Sequence, residues 1–234
     1  MDNIQKTIHY LKNAFEESAY LNDKPHEKAY RLEHTFRVAS IGKIIAEKEN
    51  LDVEATIIGC LLHDNSYIHE MKTDQERHNH GRKSVEICRL FVMGLTMDEH
   101  LKHELLYGIA IHVDDQSDFE GERTTLAETI GEADNIDRFD RYRLYEGLLY
   151  SGLDTMTLDG KKAYVSKTIE RLKKMKTHTF KTRTSTRMWH EKLDVQIEYL
   201  CGLLEQLKST DPNESLQAGM TWQAKACSFL LSCR

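Results

Sequence analysis

Apolar residues recur along this chain at spacings of three and four, the period of a helix with one buried face. Ile4, Ile8, Leu11 and Phe15 mark a first amphipathic helix over 4–20. A second, over 29–49 beyond Pro25, carries Val38, Ile41 and Ile45 four, seven and eleven residues after His34, so His34 shares the apolar stripe. The third, over 53–63, is short and strongly apolar, and delivers His63-Asp64 at its C-terminal end. A polar loop is expected over 65–79. In the next helix, 80–92, Ser84, Ile87 and Phe91 lie on the face of His80. In 98–111, Leu101, Leu105 and Gly108 precede His112 by eleven, seven and four residues. An acidic loop, 114–122, leads to Thr124, Thr125 and Glu128, a helix-start signal. Ala127 and Ile130 then stand seven and four residues before Asp134 and turn it inward. Further helices are expected over 142–150, 160–175 and 187–207.

The pattern therefore predicts an all-α bundle, with only Pro25 and Pro212 to interrupt it. A length of 234 residues suits one large domain that needs no disulfide or structural metal to reach stability. We read that domain as 1–208, with its core motifs over about 25–150 and a helical extension over 151–208. The less charged segment 209–234 reads either as a docked terminal helix or as a segment foreign to the domain. A net charge of −6 marks neither a nucleic-acid surface nor a membrane-surface binder. Cys60, Cys88, Cys201, Cys227 and Cys233 form no Cys-x-x-Cys pair, and their odd number fits a reducing cytoplasm. The first residues lack a signal-peptide core, and no run reaches the roughly 18 apolar residues of a membrane span. A soluble cytoplasmic protein is expected, with homo-oligomerisation left open.

Chemistry enters with His63-Asp64, flanked by His34 upstream and by His80, His112 and Asp134 downstream. Imidazole and carboxylate together suit a divalent first-row metal. One histidine on an apolar face is ordinarily a core residue bonded to a carbonyl. Several helices that each place His or Asp on a buried stripe would leave many polar groups in one core, each costing roughly a few kcal/mol if unpaired. A shared metal removes that cost in one step. His78 competes with His80 for its place, and His80 is preferred because it lies on the inward face; His69 is expected in solvent.

Five stretches carry a family resemblance: Arg31-Leu-Glu-His34-Thr-Phe-Arg-Val38, Gly59-Cys-Leu-Leu-His63-Asp64, His80-Gly-Arg-Lys-Ser84, Ile109-Ala-Ile-His112 and Glu132-Ala-Asp134-Asn-Ile-Asp137. Together they resemble the HD-domain metal-dependent phosphohydrolases over about 25–150. The resemblance implies an HD-type helical bundle in which His34, His63, Asp64 and Asp134 hold one divalent metal. In binuclear members, residues resembling His80 and His112 hold a second, with Asp64 bridging the two. Many members follow His-Asp with Ile-Gly, where this chain has Asn65-Ser66. No Gly-Tyr-Pro follows, which argues against the cyclic-dinucleotide phosphodiesterase branch.

The expected activity is hydrolysis of phosphate esters or anhydrides in a nucleotide or a related small phosphorylated metabolite. One or two ions of Mn, Fe, Co, Ni, Mg or Zn would activate the water, and Asp64 would bridge them or orient that water. Arg31, Lys83 and Arg138 stand one turn from His34, His80 and Asp134 and are expected to meet substrate phosphate. Arg31 is foremost, because arginine can clamp phosphate bidentately. For each of the three a plain surface cation is the competing reading. The basic stretch 173–187 reads as a solvated linker. Two other functions fit the same ligands: a di-iron oxygenase, and a non-catalytic module that binds metal or nucleotide to regulate a partner.

Overall fold

Asp2 accepts the Gln5 N–H and starts α1 (Asn3–Glu16) in the computed structural model, which describes residues 2–210. Among the described residues every regular element is helical. The segment 211–234, and with it nearly all of the expected tail, lies outside the described residues.

The chain forms two compact units, one of residues up to 138 together with 180–186, the other of 139–179 and the residues from 187. In the first unit α3 (Val53–Leu62) is the central rod. It buries Ala55, Thr56 and every residue from Ile58 to Leu62. It packs against α1, α2 (Pro25–Glu49), α6 (Glu99–Ile111) and α7 (Thr125–Arg138). Its own start is fixed by Asp52, which accepts the Ala55 N–H. The second helix begins at Pro25, four residues earlier than expected, because proline suits the first helical position. It ends at Asn50, whose left-handed backbone (φ 55°) closes the last turn. His34, Val38, Ile41 and Ile45 form the buried stripe that the periodicity predicts.

Two expectations need correction. On α1 the fully buried face is Asn3, Thr7, Leu11 and Phe15, while Ile4 and Ile8 are half-buried. Polar pairing made that rotation affordable: Asn3 Nδ2 donates to Glu54 Oε2 (3.0 Å) and to the Thr96 carbonyl (2.9 Å), and the Thr7 hydroxyl donates to the Asn3 carbonyl. The presumed loop 65–79 contains a 3-10 turn (Asn65–Ile68) and a short helix, α4 (Asp74–His78). Thr73 and Glu76 cap that helix reciprocally, a signal independent of apolar periodicity. Next come α5 (His80–Met93), packed on α6, which in turn packs on α7.

The second unit holds α8 (Arg141–Tyr150), a 3-10 turn (Leu153–Thr155), α9 (Leu158–Met175) and most of α10 (Arg183–Ser209). The last helix starts four residues before the expected position, inside the stretch 173–187 expected to be a basic linker. Val165, Ile169 and Leu172 of α9 are buried, as are Trp189, Leu193, Ile197, Leu200 and Leu204 of α10. Trp189 Nε1 donates to the Met175 carbonyl at 3.1 Å, and its ring meets Phe139 edge-on.

Candidate metal centre

Five helices of the first unit aim polar groups at one place. His34 comes from the middle of α2, and His63 and Asp64 follow the last residue of α3. His80 opens α5, His112 caps α6, and Asp134 lies in α7. His34, His63, Asp64 and Asp134 are buried, and His80 and His112 nearly so at 13% and 1% side-chain exposure. Three overlapping sets of ligand atoms each lie within 4.8 Å of one another: His34, His63 and Asp64; His63, His112 and Asp134; Asp64, His80 and His112.

The hydrogen bonds around the imidazoles decide where the lone pairs point. His63 Nδ1 lies 2.7 Å from the Cys60 carbonyl, His112 Nδ1 lies 2.7 Å from the Ile109 carbonyl, and His80 Nδ1 faces the Arg77 carbonyl. A carbonyl oxygen can only accept, so each Nδ1 carries a proton, and a ring in its neutral form then presents an Nε2 lone pair. His34 Nδ1 is directed at Asp137 Oδ2, 2.8 Å away. The Nε2 atoms therefore meet head to head, His63 with His34 at 3.4 Å and His80 with His112 at 3.1 Å. Two facing lone pairs need a cation between them, either a proton or a metal. Donors bound to one ion at about 2.1 Å stand roughly 3.0–3.5 Å apart. The donor set thus fits divalent metal.

Asp64 sits between the two imidazole pairs. Its Oδ1 is 3.0 Å from His80 Nε2 and 3.7 Å from His112 Nε2, and its Oδ2 is 3.6 Å from His34 Nε2. Asp134 Oδ1 lies 3.2 Å from His34 Nε2 and 3.9 Å from His63 Nε2. Burial alone would raise the Asp64 carboxyl, but the surrounding His63, His112 and His80 hold it well below the usual range. Burial lowers His63 to about 4, against the pull of Asp64. On His34 burial acts downward too, yet the bonds to Asp134 and Asp137 outweigh it and raise the ring to about 10.

The proposed phosphate cations divide. Arg31 Nη1 lies 3.3 Å from Asp64 Oδ2. Arg138 Nη1 reaches Asp134 Oδ2 only at 4.0 Å and is 56% exposed. Lys83 Nζ pairs with Glu86 on its own helix at 3.1 Å, and both side chains face solvent. His78 Nδ1 turns back to the Asp74 carbonyl, outside the three ligand sets, and His69 is exposed.

Three supports escaped the sequence reading. Asp137 receives the His34 ring and is itself held by Arg37, with Nε at 2.8 Å from Oδ1 and Nη2 at 3.2 Å from Oδ2. Its position one turn beyond Asp134 on the same motif was the available signal. Ser66 and Ser84 tie the turn after Asp64 to the first turn of α5: the Ser66 N–H donates to Ser84 Oγ, and the Ser66 hydroxyl donates to the His80 carbonyl at 3.0 Å. The third is the Tyr67 ring, centred 5.0 Å from that of His80.

The model of the HD domain family matches residues 31–138, a span that contains all six ligand-type residues. Among solved structures the chain is similar to a predicted HD superfamily hydrolase from an uncultured Thermotogales bacterium, at 19% identity and a TM-score of 0.60. That alignment covers 88% of this chain and 93% of the other, and at such identity it speaks for a shared fold. A search of the curated proteins finds no significant match.

Proposed function

Because the chain belongs to the HD superfamily through residues 31–138, we propose that it hydrolyses phosphate esters or anhydrides, with a nucleotide or related small phosphorylated metabolite as substrate. The observation that carries this reading is the convergence of four imidazole Nε2 atoms and the carboxylates of Asp64 and Asp134. His34, His63, Asp64 and Asp134 would hold one divalent ion, and Asp64, His80 and His112 a second. Metal bound there supplies a water acidic enough to ionise near neutral pH and a Lewis acid for the phosphoryl oxygens.

The chain's own groups do the rest. Asp64 offers an oxygen to each side and orients the attacking water from a carboxylate that stays ionised. Asp137 fixes the His34 ring so that Nε2 faces inward. Arg31, beside Asp64, contacts a phosphoryl oxygen, and the more exposed Arg138 adds positive potential at the rim. Lys83 has the weakest claim of the three, given its pairing with Glu86.

The test is an assay of metal-reconstituted protein with Mn²⁺, Mg²⁺, Co²⁺, Ni²⁺, Fe²⁺ or Zn²⁺ against nucleotides and sugar phosphates, scoring phosphate, pyrophosphate and nucleoside release. Release that depends on metal and disappears in Asp64→Ala is expected. Metal-loaded protein that is silent across the panel would overturn the reading; oxygen uptake by the iron form would then identify an oxygenase.

A further inference from the structure

Arg31 is held in an unusual way. Its ion pair to Asp64 Oδ2 is long at 3.3 Å, and its Nε is buried with no hydrogen-bond partner. The guanidinium carbon instead lies 3.3 Å from the centre of the Tyr67 ring, with the Tyr30 ring more distant at 5.5 Å. A buried cationic donor without an acceptor is costly, and the acceptor that suits it is an anionic oxygen. Stacking on an aromatic face fixes the guanidinium plane and leaves its hydrogen-bonding edges free, which an ion pair of ideal geometry would not.

The Tyr67 ring is itself well placed to do this. It rides on the 3-10 turn that follows His63-Asp64, and its backbone N–H donates to the Asp64 carbonyl at 3.0 Å. The preceding residue, Ser66, is anchored on both sides by Ser84 and the His80 carbonyl. One aromatic ring thus borders Arg31 and His80 and is clipped to Asp64 through the main chain.

We propose that Tyr67 is a positioning residue: its ring face holds the Arg31 guanidinium in the orientation that receives a phosphoryl oxygen of the substrate beside Asp64. The proposal rests on the phosphohydrolase reading and adds to it the residue through which Arg31 acts. Tyr67 itself touches no reacting atom. Its hydroxyl also interacts with Arg31, and the positioning role belongs to the π-face.

The experiment measures inorganic phosphate binding by calorimetry to the full chain loaded with Mn²⁺, with metal content determined on each sample. Tyr67→Phe should bind within about twofold of wild type, and Tyr67→Leu about tenfold more weakly, both with full metal content. On an Arg31→Ala background, Tyr67→Leu should weaken binding no further. Equal binding by wild type and Tyr67→Leu overturns the proposal. So does an equal loss on both backgrounds, a loss in Tyr67→Phe as large as in Tyr67→Leu, or a fall in metal content that tracks the fall in phosphate binding. If fully metallated wild type binds no phosphate, the phosphohydrolase reading itself fails and this proposal falls with it. The other failures leave wild-type binding intact, so the two cases are distinct.

Discussion

Asp137 shows how much a single carboxylate can set. It is 1% exposed, accepts from both His34 and Arg37, and is kept ionised by them against the upward push of burial. Replacing it by asparagine removes the charge that sustains the His34 ring while nearly preserving shape. Asp137→Asn should lower metal affinity by roughly 10–100-fold, read by competition with a chelating dye. The proton balance at His34 gives a second prediction. Its pKa, raised to about 10, means that metal-free protein holds a proton on His34 at neutral pH, whereas His63, lowered to about 4, is already neutral. An ion that uses His34 Nε2 must expel that proton, so affinity should rise about tenfold per pH unit between pH 6.5 and 8.5. Calorimetry at three pH values checks the slope, and Asp137→Asn should flatten it. His34 could be placed from its stripe because Val38, Ile41 and Ile45 share its face. Asp137 was passed over because a carboxylate that serves an imidazole has no periodic signature of its own.

Helix packing sets the distance between the two imidazoles of the His80–His112 pair. A Cβ on Gly81 would stand 2.6 Å from the Ala110 carbonyl oxygen, 2.7 Å from that of Ile109 and 3.0 Å from His112 Nδ1. Two of these are backbone atoms of α6 that cannot swing away. Gly81→Ala should therefore push α5 from α6, destabilise the protein by about 1–3 kcal/mol in urea unfolding, and lower the amount of metal bound per chain. Long helices with a continuous apolar stripe were readable from the chain. α4 was not, because its five residues bury nothing and its stability comes from the Thr73–Glu76 cap. The face of α1 was misassigned for a related reason: Asn3 is buried by virtue of partners 51 and 93 residues away, which no local window contains.

The ligand-type residues span positions 34 to 134, so an ion held by them ties together most of the first unit. Anything that binds only the folded state stabilises it by about 2.7 kcal/mol at a concentration 100 times its Kd. Saturating Mn²⁺ should accordingly raise the unfolding temperature by roughly 5–10 °C over chelator-treated protein, and Asp64→Asn should abolish most of that shift in a thermal melt. The division into two units was not apparent from the sequence. The segment 180–186 returns to the first unit through main-chain donors, Lys181 N–H to Glu132 at 2.5 Å and Thr184 N–H to Glu49 at 2.7 Å, rather than through an apolar stripe. One buried thiol extends the thermodynamic picture into kinetics. Cys60 is inaccessible, its thiol is pushed far up by burial, and its carbonyl is the acceptor that holds the His63 ring. A maleimide can reach that sulfur only when α3 opens, and the same opening releases His63. The rate of alkylation at Cys60 is therefore a clock for how often the protein lets go of its central histidine.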